Sequence, residues 1–152
     1  MTLASFLDER GIPYERHAHA AAFTAQRLAD AEHVSGYMVA KPVVVRGSSG
    51  FAMCVVPAPL HLDLQRVRAI LDDPAVRLAT EEEMAGLFPD CELGAEPPVG
   101  CIYGLTTIMD DRLREDEYLV MQAGTHTEAI RTRRADFEKV CRPIVAHITA
   151  MS

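Results

Sequence analysis

The sequence predicts a single α+β domain, a mixed β-sheet carrying four or five helices. Two β-rich runs meet at a Gly-Ser-Ser-Gly turn, and two other segments place apolar residues at helical spacing behind a capping threonine. A chain of 152 residues, 49% apolar and 24% charged, supports one sizeable core and not two.

Leu3, Phe6 and Leu7 recur at helical spacing before Gly11, which predicts a short amphipathic helix over Thr2 to Arg10. "PYERHAH" reads as a strand, and Thr24 caps a helix running to about Glu32. "YMVAKPVVVRGSSGFAMCVVPAP" is the β-hairpin. Leu60, Leu64, Val67 and Leu71 form one apolar stripe of a helix ending near Asp72. Thr80 with Glu83 is a capping box, opening a helix that stops at Pro89. Residues Pro89 to Gly100, rich in proline and glycine, are loop. "TTIMDD", "EYLVMQAG" and "HTEAIRT" supply further strands. Phe137, Val140, Cys141, Ile144, Val145 and Ile148 predict a last helix that Pro143 kinks or restarts.

Fifteen basic against twenty-two acidic residues give a net charge of −7, which disfavours nonspecific grip on a polyanion and any DNA role. The local exception is Arg131, Arg133 and Arg134. Cys54, Cys91, Cys101 and Cys141 are widely spaced, forming neither a C-x-x-C knuckle nor a disulfide framework, and read as reduced structural thiols. No apolar run approaches a membrane span and no signal-peptide pattern opens the chain, so the expected location is the cytoplasm.

The familiar hydrolase and nucleotide signatures G-x-S-x-G, H-E-x-x-H, G-x-x-x-x-G-K-[ST] and G-x-G-x-x-G are missing. Several residues nonetheless stand out. Lys41 interrupts an apolar β run, where an unpaired charge is costly to bury, although its stem can also carry the ammonium out to solvent. His17 and His19 share one face of a strand, a two-residue spacing found in metal sites and also in ordinary surface histidines. His126 lies between hydroxyls in "AGTHTEAIR". "GAEPPVG", Gly94 to Gly100, is a stiff loop without a nucleophilic side chain.

Taken together, Lys41, "GAEPPVG" and "AGTHTEAIRTRRADF" give a sequence that resembles the YbaK/ProX/EbsC family of aminoacyl-tRNA deacylases, which also occurs as the editing domain of bacterial prolyl-tRNA synthetases. The blocks "AEHVSGYMVAKPVVV", "LDLQRVRAIL", "RLATEEEMAGLFPDCELGAEPPVG" and "AGTHTEAIR" follow in family order over nearly the whole chain.

The resemblance implies a partly barrel-like sheet with surrounding helices, one editing domain over residues 1–152, and a trans-acting hydrolase. Its substrate is the ester joining a wrong small amino acid to the 3′ end of tRNA, and no cofactor or metal is implied. Lys41 and the G-x-x-x-P loop Gly94, Ala95, Glu96, Pro97 and Pro98 take the catalytic positions. His19, Val99, Gly100, Gly124, Thr125 and His126 take substrate-binding ones. The expected partners are aminoacyl-tRNA, with a synthetase and a second copy of the chain as further candidates. Two positions depart from the family pattern: Pro42 replaces a usual threonine, and Val99 a usual aromatic residue. A non-catalytic binding module of the same fold is the alternative, and a metal-dependent hydrolase using His17, His19 and His126 a remoter one.

Overall fold

The computed structural model describes residues 1–150. Side chains set most element starts. Thr2 accepts a hydrogen bond from Ser5 N–H and opens α1 (Leu3–Glu9), whose Leu3, Phe6 and Leu7 are buried. Strand β1 (Glu15–Ala18) follows, and Thr24 caps α2 (Ala25–Glu32) in the same way. The hairpin is β2 (Ala40–Gly47) and β3 (Gly50–Pro57), in register from Ala40 opposite Pro57 to Gly47 opposite Gly50. A short β4 (His61–Leu62) precedes α3 (Leu64–Leu71). Asp63 caps α3, so Leu60 lies before the helix and the expected stripe begins at Leu64.

After β5 (Arg77–Leu78), α4 (Glu81–Leu87) starts with the complete Thr80–Glu83 capping box. The loop to Gly100 leads through a 3-10 turn, Gly100–Tyr103, into β6 (Thr106–Asp110). Strands β7 (Tyr118–Gln122) and β8 (Glu128–Arg133) precede α5 (Arg134–Cys141).

The expected helical stripe ends there. Arg142 is left-handed with φ 47°, and Ile144 and Val145 belong to β9 (Ile144–Ala146), with β10 (Thr149–Ala150) beyond it. Pro143 explains the correction: it has no N–H to continue the helix and disfavours helical backbone at the residue before it. The apolar residues then pack at strand spacing.

Among the described residues ten strands form three sheets that do not close into a barrel. The five-stranded sheet is mixed, in the order β5-β2-β3-β6-β9, with β3, β6 and β9 parallel; the others are β1-β8-β7 and β10-β4. Alternation sorts the central strands between two cores. Met53 and Val55 join α1, α5, Leu119, Met121 and Ile130 in the larger core, while Ala52, Cys54 and Val56 pack under Val67 of α3. A third cluster, Ala22, Leu28, Ala29, Val39, Val120 and Ala129, seats α2. One parallel bridge, Val39 to Val120, joins the five-stranded sheet to the three-stranded one. No helix among the described residues is long and apolar enough to cross a membrane.

Candidate active site

The site grows from that bridge. Lys41 and Gln122 each lie two residues beyond it on neighbouring strands, on the faces that carry Val39 and Val120. Lys41 is half-buried, and its Nζ donates to the carbonyls of Ala58 and Leu60, both at 3.3 Å. An ammonium has three N–H donors, so one remains for a ligand. Burial pushes the Lys41 pKa below its ordinary value. Gln122 is 5% exposed, and neither its Oε1 nor its Nε2 has a partner among the described residues. Composition gave no reason to select it; the only signal was one amide side chain ending an apolar run.

From Gln122 the chain turns at Gly124, where the loop is attached. Gly124 N–H donates to Ala95 O at 2.9 Å, and Glu92 N–H to Gly124 O at 2.8 Å. His126 completes the clasp: its N–H donates to Glu92 Oε1 at 2.7 Å, and its ring nitrogens lie 3.1 Å from Ala22 O and 2.8 Å from Leu93 O. Phe23 packs on the His126 ring at 4.8 Å. The imidazole therefore ties the segment before α2 to the loop.

Within the loop the backbone donors can be counted. Gly94, at φ 87° where glycine is favoured, donates to both Glu96 carboxylate oxygens at 3.2 and 3.1 Å. Ala95 N–H donates to Glu92 O at 3.0 Å. Pro97 and Pro98 have no N–H. Glu96 N–H is thus the uncommitted donor among residues 94–98. Val99 is buried in the larger core, and at Gly100 a side chain would collide with Thr107 Oγ1.

The structure thus brings Gly94 to Pro98, Gly124 and His126 into one hydrogen-bonded unit; Lys41 is not part of it, its ammonium resting on the Ala58 and Leu60 carbonyls. Glu96 and Pro97 border two open clefts of about 360 Å³ each, and Lys41 lines neither. Thr125 pairs with Thr127 at 3.3 Å, and His19 Nδ1 meets Ala20 O at 2.6 Å. His17, His19 and His126 do not form a ligand set. His17 pairs with Glu32 at 2.6 Å, and the only His, Cys and acid group of metal-binding size among the described residues is Asp110, Asp111 and His147. Arg131, Arg133 and Arg134 each lie within 4 Å of a carboxylate, of Glu15, Glu117 and Glu138, which offsets the charge of the expected basic cluster.

This architecture is shared by solved proteins. A proposed trans-editing enzyme for prolyl tRNA synthetase superposes with a TM-score of 0.85 at 24% identity, over 97% of this chain and 94% of that one. The hypothetical protein APE2540 gives 0.89 at 19%, over 97% and 99%. A scaffold used for epitope backbone grafting gives 0.82 at 21%, over 96% and 93%. These likenesses show the fold, one α+β domain. The model of the aminoacyl-tRNA editing domain matches residues 19–140, and the chain belongs to that family. No curated protein matches the sequence.

Proposed function

We propose that the protein is a deacylase that acts in trans, hydrolysing the ester between a small, wrongly attached amino acid and the 3′ end of tRNA. The observation that carries this reading is the uncommitted N–H at Glu96, in a stretch, Gly94 to Pro98, whose other two N–H groups are spent holding its shape. An aminoacyl ester is already activated, so a positioned water and one preorganised donor for the developing oxyanion supply the main catalytic needs. No nucleophilic side chain is required.

In this reading Lys41 presents its third N–H to the terminal phosphate, the ribose or the substrate carbonyl. Pro97 and Pro98 restrict the loop's alternatives, and Gly124 and His126 hold it against β7. The buried, unpaired Gln122 amide lies on β7 two residues before the Gly124 that holds the loop, and offers a donor and an acceptor there. Discrimination is by size and by hydrogen bonding: one methylene is worth only about 1–3 kcal/mol, which leaves small errors for a second site to remove. The net charge of −7 and the paired arginines fit a transient hold on tRNA beside a synthetase, as the similar fold of the proposed prolyl trans-editing enzyme supports.

The test is hydrolysis of tRNAs charged with alanine, cysteine, serine or proline, with Lys41→Ala alongside. At least one ester is lost faster than in buffer, and Lys41→Ala slows it about 100-fold or more. Stability of all four esters in the presence of folded protein overturns the reading and leaves a binding module of the same fold.

A further inference from the structure

Cys101 and Cys141 stand 40 positions apart in sequence, yet their Sγ atoms are 3.7 Å apart. Cys101 is exposed, in the first turn after Gly100. Cys141 is 8% exposed and is the last residue of α5. The remaining thiols are placed differently: Cys54 is fully buried, and Cys91 contacts the Tyr103 hydroxyl at 3.5 Å. One accessible thiol therefore lies against one sheltered thiol.

We propose that Cys101 is a site of oxidation by hydroperoxides and that Cys141 resolves it into an intramolecular disulfide. The Cys101 thiolate attacks one peroxide oxygen, the O–O bond breaks, and sulfenic acid and hydroxide form. Cys141 sulfur then displaces the sulfenic oxygen, its proton leaving with that oxygen as water, and the S–S bond forms. Two thiol sulfurs are oxidised by two electrons in total, and the peroxide is reduced to water and hydroxide.

The environment divides the roles in the same sense. The Cys141 thiol as hydrogen-bond donor, aided by the Arg10 guanidinium, holds Cys101 down to about 7, within reach of neutral pH. Cys141 is pushed up by its Cys101 neighbour and by burial, which keeps it protonated until it is needed. A bonded pair sits at about 2.05 Å, so closure needs side-chain rotation and a small shift of the exposed turn. The crosslink joins the exit of the Gly94–Gly100 loop to the end of α5. It involves none of the residues assigned to ester hydrolysis, so its outcome is independent of that assignment.

The experiment treats the reduced, folded protein with stoichiometric hydrogen peroxide, alkylates the remaining thiols and identifies the products by peptide mass spectrometry. Two of the four thiols disappear into one crosslinked peptide pair containing Cys101 and Cys141, while Cys54 and Cys91 are recovered alkylated. Before oxidation, iodoacetamide at neutral pH labels Cys101 about tenfold or more faster than Cys91. Cys101→Ser, a change at an exposed position, abolishes the crosslink and leaves Cys141 free. Sulfinic acid on Cys101 beside a free Cys141, a dimer linked through Cys101, or an unreacted Cys101 each overturns the proposal.

Discussion

The Glu96 carboxylate accepts the backbone N–H of Gly94 through both oxygens, closing a ring inside the loop that carries the candidate oxyanion donor. Glu96 itself is 4% exposed, so this contact is screened little by water. Gly94 is itself exposed, so removing the carboxylate costs the value of a hydrogen bond to a charged acceptor, about 1.5–3 kcal/mol. Glu96→Ala therefore lowers deacylation about tenfold or more and shifts the denaturant midpoint down. Glu96→Gln keeps one acceptor oxygen and loses less of both, which parallel denaturation and turnover assays distinguish.

Gly94→Ala probes the same loop through its backbone. The added methyl meets the His126 ring at 3.5 Å, an ordinary contact, so the penalty comes from φ 87°, about 1–3 kcal/mol. Gly86→Ala is the opposite case: it lies inside α4 with nothing within 4 Å of the new methyl, and gains about 0.5–1 kcal/mol. Thermal melts of the two variants move in opposite directions.

Gln122→Leu separates stability from activity. Burying an amide with neither polar atom paired costs about 1–3 kcal/mol, and an apolar side chain of similar size relieves that cost. The variant melts higher than the parent and hydrolyses its best ester more slowly. A variant that melts lower, or keeps full activity, removes Gln122 from the site.

The capping box of α4 sets an acid limit on stability. Arg77, at 2.8 and 3.1 Å, and then the Thr80 N–H hold the Glu83 carboxyl down to about 2, against an ordinary 4.5. A folded-state pKa below the unfolded one means that the stabilisation is complete above about 4.5 and is lost as pH falls towards about 2. Glu83→Gln flattens the acid limb of a melting-temperature profile in that window and leaves the shape near neutral pH unchanged.

Local chemistry made much of this fold legible. Thr24, and Thr80 with Glu83, act within three residues of themselves, so their helices could be read directly, and the Gly-Ser-Ser-Gly turn fixed the hairpin. Ile144, Val145 and Ile148 misled because their spacing serves a kinked helix as well as two short strands, and pairing with β6 and β4 decides between them. Leu60 misled for a related reason: its apolar match to the α3 stripe ignored the cap at Asp63. Motif resemblance picked out Lys41 and Gly94 to Pro98. It could not show that Glu92 and His126 hold the loop, that Gln122 lies unpaired beside Lys41's strand, or that Cys101 touches Cys141. Each of those depends on contacts across many residues of chain.

The Val39–Val120 bridge gives the seam between Lys41 and Gln122 a mechanical character. Lys41 belongs to one sheet and Gln122 to another; the two share the larger core, but among the described residues one β-bridge joins their backbones along that seam. A ligand that touched both side chains would act as a second stitch, and its binding would register as reduced hinge motion between the sheets. Slower amide exchange at Val39 and Val120 in the presence of an uncleavable aminoacyl-adenosine would record that fastening.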